Sequence, residues 1–222
     1  MVIATDRYLS EEAVLSHLRQ AGAVLTDDHF VYTSGRHGSA YYNKDAVYAD
    51  VEVADRLCQA IAYHFRDAGI ETVVGPEHGG IILQFATTIH LRIWTGKNDI
   101  CGVYAENAPA TYSAQKRFAF NRGFGKFIAG RRVLVVDDIL TTGGSVEGVV
   151  RAVREAGGEV VGVAVLCNRG GVTAKQLGVP ELFALCNVSL NSWPEEECPL
   201  CAQGVPVNTT IGKGREFLAR TA

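Results

Sequence analysis

The stretch VLVVDDILTTGGSV, residues 133–146, constrains this chain more than any other. Val133 to Val136 form a short, wholly apolar and mostly β-branched run, which reads as a buried strand. Asp137 and Asp138 then stand at the strand's carboxyl end, where open α/β sheets bind ligands. Thr141, Thr142, Gly143, Gly144 and Ser145 follow as a small, hydroxyl-rich turn that leads into a helix.

The rest of the chain alternates in the way such a strand requires. Ser10 to Ala21 and Val51 to Ala68 carry apolar residues at helical spacing, the second ending at Gly69. Short β-branched runs follow at 72–74, 101–104, 132–136 and 160–166, separated by helix-like pieces at 81–91 and 145–156. That order predicts an α/β fold: a mostly parallel sheet flanked by helices on both faces. At 222 residues and 47% hydrophobic composition, the chain suits one compact domain with a proper core.

A net charge of −3 provides no global basic field for nucleic acid or an anionic membrane, so any polyanion site must be local. The N-terminal residues lack a basic segment followed by an apolar one, and no stretch approaches a membrane span. A cytoplasmic protein with six reduced, mostly buried cysteines is expected.

The 141–145 turn is built for a phosphate. Its glycines allow close approach of the backbone, the amides at the helix start point outward, and the helix dipole favours an anion. No GxxxxGK[ST] or GxGxxG occurs, so the common nucleotide cradles are excluded. Two carboxylates beside a phosphate nest suit a ligand that also carries hydroxyls, such as a ribose 5-phosphate. An ordinary strand-to-helix turn with a solvated acidic pair is the plainer alternative.

Two segments break the alternation. Residues 107–130 carry Lys116, Arg117, Arg122 and Lys126 among aromatics and glycines without a clean period, which is expected of a mobile loop. The tail from 187 to 222 contains Cys198-Pro-Leu-Cys201, a spacing shared by zinc half-sites, redox pairs and plain packed cysteines. Neither a second CxxC nor an HxxxH completes a metal site, which Cys186 and a histidine would have to supply.

VVDDILTTGGS resembles the phosphoribosyl pyrophosphate (PRPP) signature of the type I phosphoribosyltransferase family, and the flanking segments resemble its orotate-using members. HFVYTSGRHGSAYYN, near the N-terminus, is similar to the family's segment that arches over the base. VVGPEHGGI is similar to its pyrophosphate loop, and CNRGG occupies the place of an Asp-Arg pair that meets the orotate carboxylate. The resemblance implies a single domain over 1–222, in which about 1–45 and 167–222 form a hood over the base and 107–130 a mobile loop.

It further implies that Asp137 and Asp138 bind the ribose hydroxyls, that Ile139, Leu140 and Thr141 to Ser145 hold the 5′-phosphate, and that Gly79 and Gly80 approach the pyrophosphate. Arg169, Thr141, Tyr41 and Tyr42 would contact orotate. Mg²⁺ is the implied cofactor, carried by PRPP rather than by protein side chains, and the implied assembly is a homodimer that shares its loops. The chain departs from the family at the loop, where Lys116, Arg117 and Arg122 take the place of the usual catalytic cations. The implied reaction is transfer of ribose 5-phosphate from PRPP to orotate. The alternatives are a type I enzyme for another base and a PRPP-sensing regulator without catalysis.

Overall fold

A computed structural model describes residues 9–32, 34–108, 118–188 and 191–221. In chain order the elements are α1 (Glu11–Gln20), β1 (Val24–Leu25), β2 (Phe30–Val31), β3 (His37–Gly38), β4 (Tyr41–Tyr42), α2 (Lys44–Ala49), α3 (Val51–Phe65), β5 (Thr72–Pro76), α4 (Gly79–Thr95), β6 (Cys101–Asn107), β7 (Phe118–Ala119), β8 (Arg132–Leu140), α5 (Gly144–Glu155), β9 (Glu159–Asn168), α6 (Ala174–Leu177), β10 (Leu182–Asn187), β11 (Ser192–Trp193), α7 (Pro199–Ala202) and α8 (Gly214–Thr221). They divide into two units, one running up to Val14 with Val51–Val188, the other Leu15–Asp50 with Ser189–Ala222.

The first unit is the expected α/β sheet. Six strands lie in the order β10-β9-β8-β5-β6-β7, all parallel except β7, which returns antiparallel to β6. Helix α3 buries Val53, Ala54, Leu57, Cys58, Ile61, Ala62 and Phe65, the three-and-four spacing of one helical face. Helix α5 buries Val146, Val149, Val150 and Val153, which join Val133, Val135, Val163 and Val165 in one core cluster. The alternate residues Leu134 and Val136 are also fully buried, on the opposite face of β8. Helix α4 packs on β5, β6 and β8, and α3 packs on α4.

The strand order reverses between β5 and β8. From β5 the chain goes through α4 to β6 on one side, whereas from β8 it goes through α5 to β9 on the other. A crevice outside the carboxyl ends of two such strands is where doubly wound sheets hold ligands.

Three expectations are corrected here. Strand β8 does not stop at Val136 but runs through the acid pair to Leu140, because β9 extends equally far and pairs Asp137 with Val165 and Leu140 with Asn168. The reading of 107–130 as one aperiodic loop fails in its second half. Phe118 and Ala119 pair with Asn107 and Glu106, Phe124–Phe127 form a 3-10 turn, and Phe118 and Ile128 are buried in the core. Residues 167–188 belong to the sheet rather than to a hood: β10 pairs in parallel with β9 from Leu182 to Asn187.

The second unit is built from both ends of the chain. Its strands are only two residues long: β1 pairs with β4, and β2, β3 and β11 form a three-stranded sheet in the order β11-β3-β2. Backbone hydrogen bonds from Asn208 to His29 (2.7 Å) and from Lys213 to Val31 (2.8 Å) tie the tail to the early strands. No helix among the described residues is long and apolar enough to cross a membrane.

Candidate active site

The pleat of β8 decides where its two carboxylates look. Successive strand residues face opposite sides of a sheet, so Asp137 shares the α5 side with Val133 and Val135, and Asp138 shares the α4 side with Leu134 and Val136. Asp137 lines a cavity of about 330 Å³ formed with Ile139 to Glu147 and Arg151. Asp138 lies against Gly79, the first residue of α4, so closely that a Cβ there would overlap its carboxylate. The expectation of two carboxylates side by side next to one nest is therefore corrected: one serves each of the two turns at the crevice. Both are 5–6% exposed, and each accepts a hydrogen bond from the next backbone amide, Asp138 N to Asp137 Oδ1 at 2.9 Å and Ile139 N to Asp138 Oδ1 at 2.7 Å.

The turn after β8 has the geometry of an anion cradle. Gly143 adopts φ +88°, a left-handed conformation that L side chains rarely take, and no side chain caps the start of α5. The first amides of that helix thus point into the cavity that Thr141, Thr142, Gly144 and Ser145 line. Glu147 and Arg151 line it too; the sequence reading missed them, although 143, 147 and 151 repeat every four residues and share a helix face.

Arg169 follows β9 directly, and its backbone amide donates to Leu140 O at 2.8 Å, as does that of Gly170 at 3.0 Å. Gly170 packs so tightly on the Thr141 carbonyl that a Cβ has no room. The CNRGG segment is thereby clamped onto the LTTGG turn. Asn168 fixes its far side, donating from Nδ2 to Val172 O (2.9 Å) and accepting from Val172 N (3.1 Å). Sequence reasoning missed Asn168, whose signal was a buried polar residue at the end of an apolar strand.

The β5–α4 turn is tied to the end of β6. Glu77 N donates to Ala105 O at 2.9 Å, and Glu77 Oε1 accepts from the backbone amide and Nδ2 of Asn107 (2.7 and 2.8 Å). Those bonds hold the Glu77 carboxyl below its usual pKa. Gly80 is buried at the start of α4, its Cα close against Gly75. Arg122 pairs through Nε with Glu106 Oε1 at 3.0 Å at the same strand end, and that bond raises its already high pKa. Lys116 and Arg117 lie outside the described residues. Tyr41 and Tyr42 sit in the second unit as β4, Tyr42 buried and Tyr41 against Phe30 and Tyr32 with ring centroids 5.5 and 6.3 Å apart.

Residues 44–181, more than half of the chain, match the phosphoribosyl transferase domain family. An orotate phosphoribosyltransferase of Desulforamulus reducens is 34% identical over 198 residues, covering 89% of this chain and 95% of that protein. The chain belongs to the orotate phosphoribosyltransferase family. The same enzyme of Chlorobaculum parvum is also 34% identical, over 90% of this chain and 95% of its own. Among solved structures, the orotate phosphoribosyltransferase of Mycobacterium tuberculosis H37Rv aligns with TM-score 0.60 at 20% identity, covering 79% of this chain and 95% of that one. An adenine phosphoribosyltransferase from Saccharomyces cerevisiae aligns with TM-score 0.56 at 18% identity, covering 77% and 99%. The fold is thus shared across bases, and base choice resides in particular residues.

Proposed function

We infer that the protein transfers ribose 5-phosphate from PRPP to N1 of orotate, giving orotidine 5′-monophosphate and pyrophosphate for pyrimidine synthesis. The observation that carries this reading is the clamp of Arg169 onto the β8–α5 turn. That clamp brings the Arg169 backbone to the β8–α5 turn, and a guanidinium can form two parallel hydrogen bonds with a carboxylate such as orotate's.

In this reading the amides and hydroxyls of 141–145, with Ile139 and Leu140, hold the 5′-phosphate, and Asp137 and Asp138 accept from the ribose hydroxyls. Their negative charge also favours the oxocarbenium character that develops as the C1′–O bond breaks. Gly79 and Gly80 admit the pyrophosphate to the β5–α4 turn. Lys116, Arg117 and Arg122 meet its growing charge, while Thr141 contacts the base. Carboxylate oxygens at Asp137 and Asp138 are the donors that a hard divalent cation takes, so the site's chemistry fits Mg²⁺ brought in on PRPP. When bound, that ion supplies Lewis-acid neutralisation of the leaving group.

Dimerisation is supported by an unpartnered apolar stripe on α4: Ile82, Phe85, Ile89 and Ile93 are 46, 64, 42 and 66% exposed at helical spacing. A stripe of that kind on a helix suits a second copy. Six unbridged cysteines suit a reducing, cytoplasmic setting.

The test is spectrophotometric loss of orotate with PRPP and Mg²⁺, run beside uracil, hypoxanthine and adenine. Orotate consumption alone is expected. Turnover of a purine would reassign the base, and PRPP binding without any turnover would make the protein a sensor.

A further inference from the structure

The proposed function assigns no role to the Cys198-Pro-Leu-Cys201 pair, which the fold brings together with two histidines. His29 and His37 occupy alternate positions on one face of the β2–β3 hairpin: Val31 pairs with His37, which makes His29 its diagonal neighbour. Their rings converge on the two thiols. His29 Nε2 lies 2.9 Å from His37 Nδ1, 3.6 Å from Cys198 Sγ and 3.8 Å from Cys201 Sγ, and Cys201 Sγ lies 3.3 Å from His37 Nδ1. All four donor atoms fall within 4.8 Å of one another. Both histidines are wholly buried and Cys198 is 3% exposed.

We propose that His29, His37, Cys198 and Cys201 bind a structural zinc ion. A tetrahedral zinc with bonds of about 2.0–2.1 Å to nitrogen and 2.3 Å to sulfur sets its ligands about 3.3–3.8 Å apart. Three of the four sulfur–nitrogen separations lie in that range and the other donor pairs within 4.8 Å, so the ligands have only to adjust slightly. Two thiolates balance the charge of the ion, so the buried site is neutral. Sulfur with imidazole is also the donor set zinc favours over magnesium or calcium.

The hydrogen bonding of the histidines points the same way. His29 Nδ1 donates to Val205 O at 2.8 Å, which leaves a lone pair on Nε2, directed at the cluster. For Nδ1 of a neutral His37 to serve that lone pair as donor, His37 Nε2 would have to carry a second lone pair, and this buried atom has no hydrogen-bond partner among the described residues. If the proton sits on Nε2 instead, two lone pairs face each other at 2.9 Å. A cation between the rings uses both. Phe217 of α8 packs edge-on against the His37 ring at 4.8 Å, shielding it from water.

The role of the ion follows from the size of this unit. Its sheets consist of two-residue strands drawn from chain ends more than 150 residues apart, a scaffold too small to rely on its core alone. Zinc would staple the tail to the hairpin and couple metal binding to the folding of this unit.

Metal analysis of full-length protein, expressed with zinc supplementation and dialysed against a weak chelator, is expected to find about one zinc per chain. Cys198→Ser and Cys201→Ser should each lower that to below about a tenth, while the control Cys101→Ser, outside the cluster, keeps it. Should the serine variants fail to fold, cobalt exchanged into the wild-type protein decides: intense tetrahedral d–d bands with a thiolate charge-transfer band are expected. Sub-stoichiometric zinc together with a weak octahedral cobalt spectrum would overturn the proposal. So would zinc retained in both serine variants, or a Cys198–Cys201 disulfide in the purified protein.

Discussion

Asp137 and Asp138 are adjacent in sequence yet face opposite sides of β8, so their roles separate. Asp137 lines the cavity at the β8–α5 turn and Asp138 lies against the start of α4. Each single change to Asn is expected to raise the KM for PRPP roughly tenfold or more, since a charge-assisted hydrogen bond is worth about 1.5–3 kcal/mol. The double change should abolish productive binding. The doubly substituted protein should keep its fold, with a cooperative thermal transition by calorimetry. Unchanged kinetics in the double variant would remove both residues from the site. Arg169 makes a second residue-scale test. Arg169→Lys keeps the charge and loses the planar fork, so the KM for orotate should rise far more than that for PRPP. If the two constants move together in steady-state assays, Arg169 does not read the base.

At the scale of elements, the candidate site is two turns at neighbouring strands, 77–78 between β5 and α4 and 141–143 between β8 and α5, each braced from outside. The first is held by Glu77 on Asn107 and the second by Asn168 and Gly170 behind Leu140 and Thr141. Such bracing pre-pays the ordering of both cradles. Arg122, paired with Glu106 near the carboxyl end of β6, is a described cation of the loop region, as is Lys126. Arg122→Ala should lower kcat by about 10- to 100-fold with little change in the KM for orotate, the pattern of a contact made only in the transition state. Its side chain is 66% exposed, so Tm should not move. Lys116→Ala and Arg117→Ala belong to the same series, and three near-wild-type kcat values would exclude this region from the chemistry.

For the whole molecule, the exposed apolar face of α4 offers a test of assembly and of its link to activity. Phe85→Glu with Ile93→Glu places two charges on the exposed stripe and is expected to convert a dimer into a monomer by light scattering after gel filtration. If the loop acts across that dimer, mixing an inactive loop variant with the inactive Asp137/Asp138 variant should restore activity through one intact composite site, and the charged stripe should prevent the rescue. A wild-type protein that runs as a monomer, or mixtures that stay inactive after verified subunit exchange, would place each site within one chain.

Periodicity alone located α1, α3, α4, α5 and the centres of β5, β6, β8 and β9, because burial of one helix face or a whole strand leaves its mark on local spacing. The acid pair and the glycine turn were legible too, since their chemistry lies in fourteen consecutive residues. Long-range pairing decided the rest. The extension of β8 through Asp138 depends on β9, the parallel edge strand β10 on a neighbour fourteen residues earlier at its nearest, and the crevice on strand order, none of which has a local signature. The same holds for the cysteine pair. From the sequence, Cys186 and a histidine were what a metal site there would need, whereas Cys186 lies in β10 of the sheet and the residues beside the pair are two histidines of the β2–β3 hairpin. Hydrophobic patterning is written along the chain, but convergence of polar side chains from distant segments exists only after the sheets have set their register.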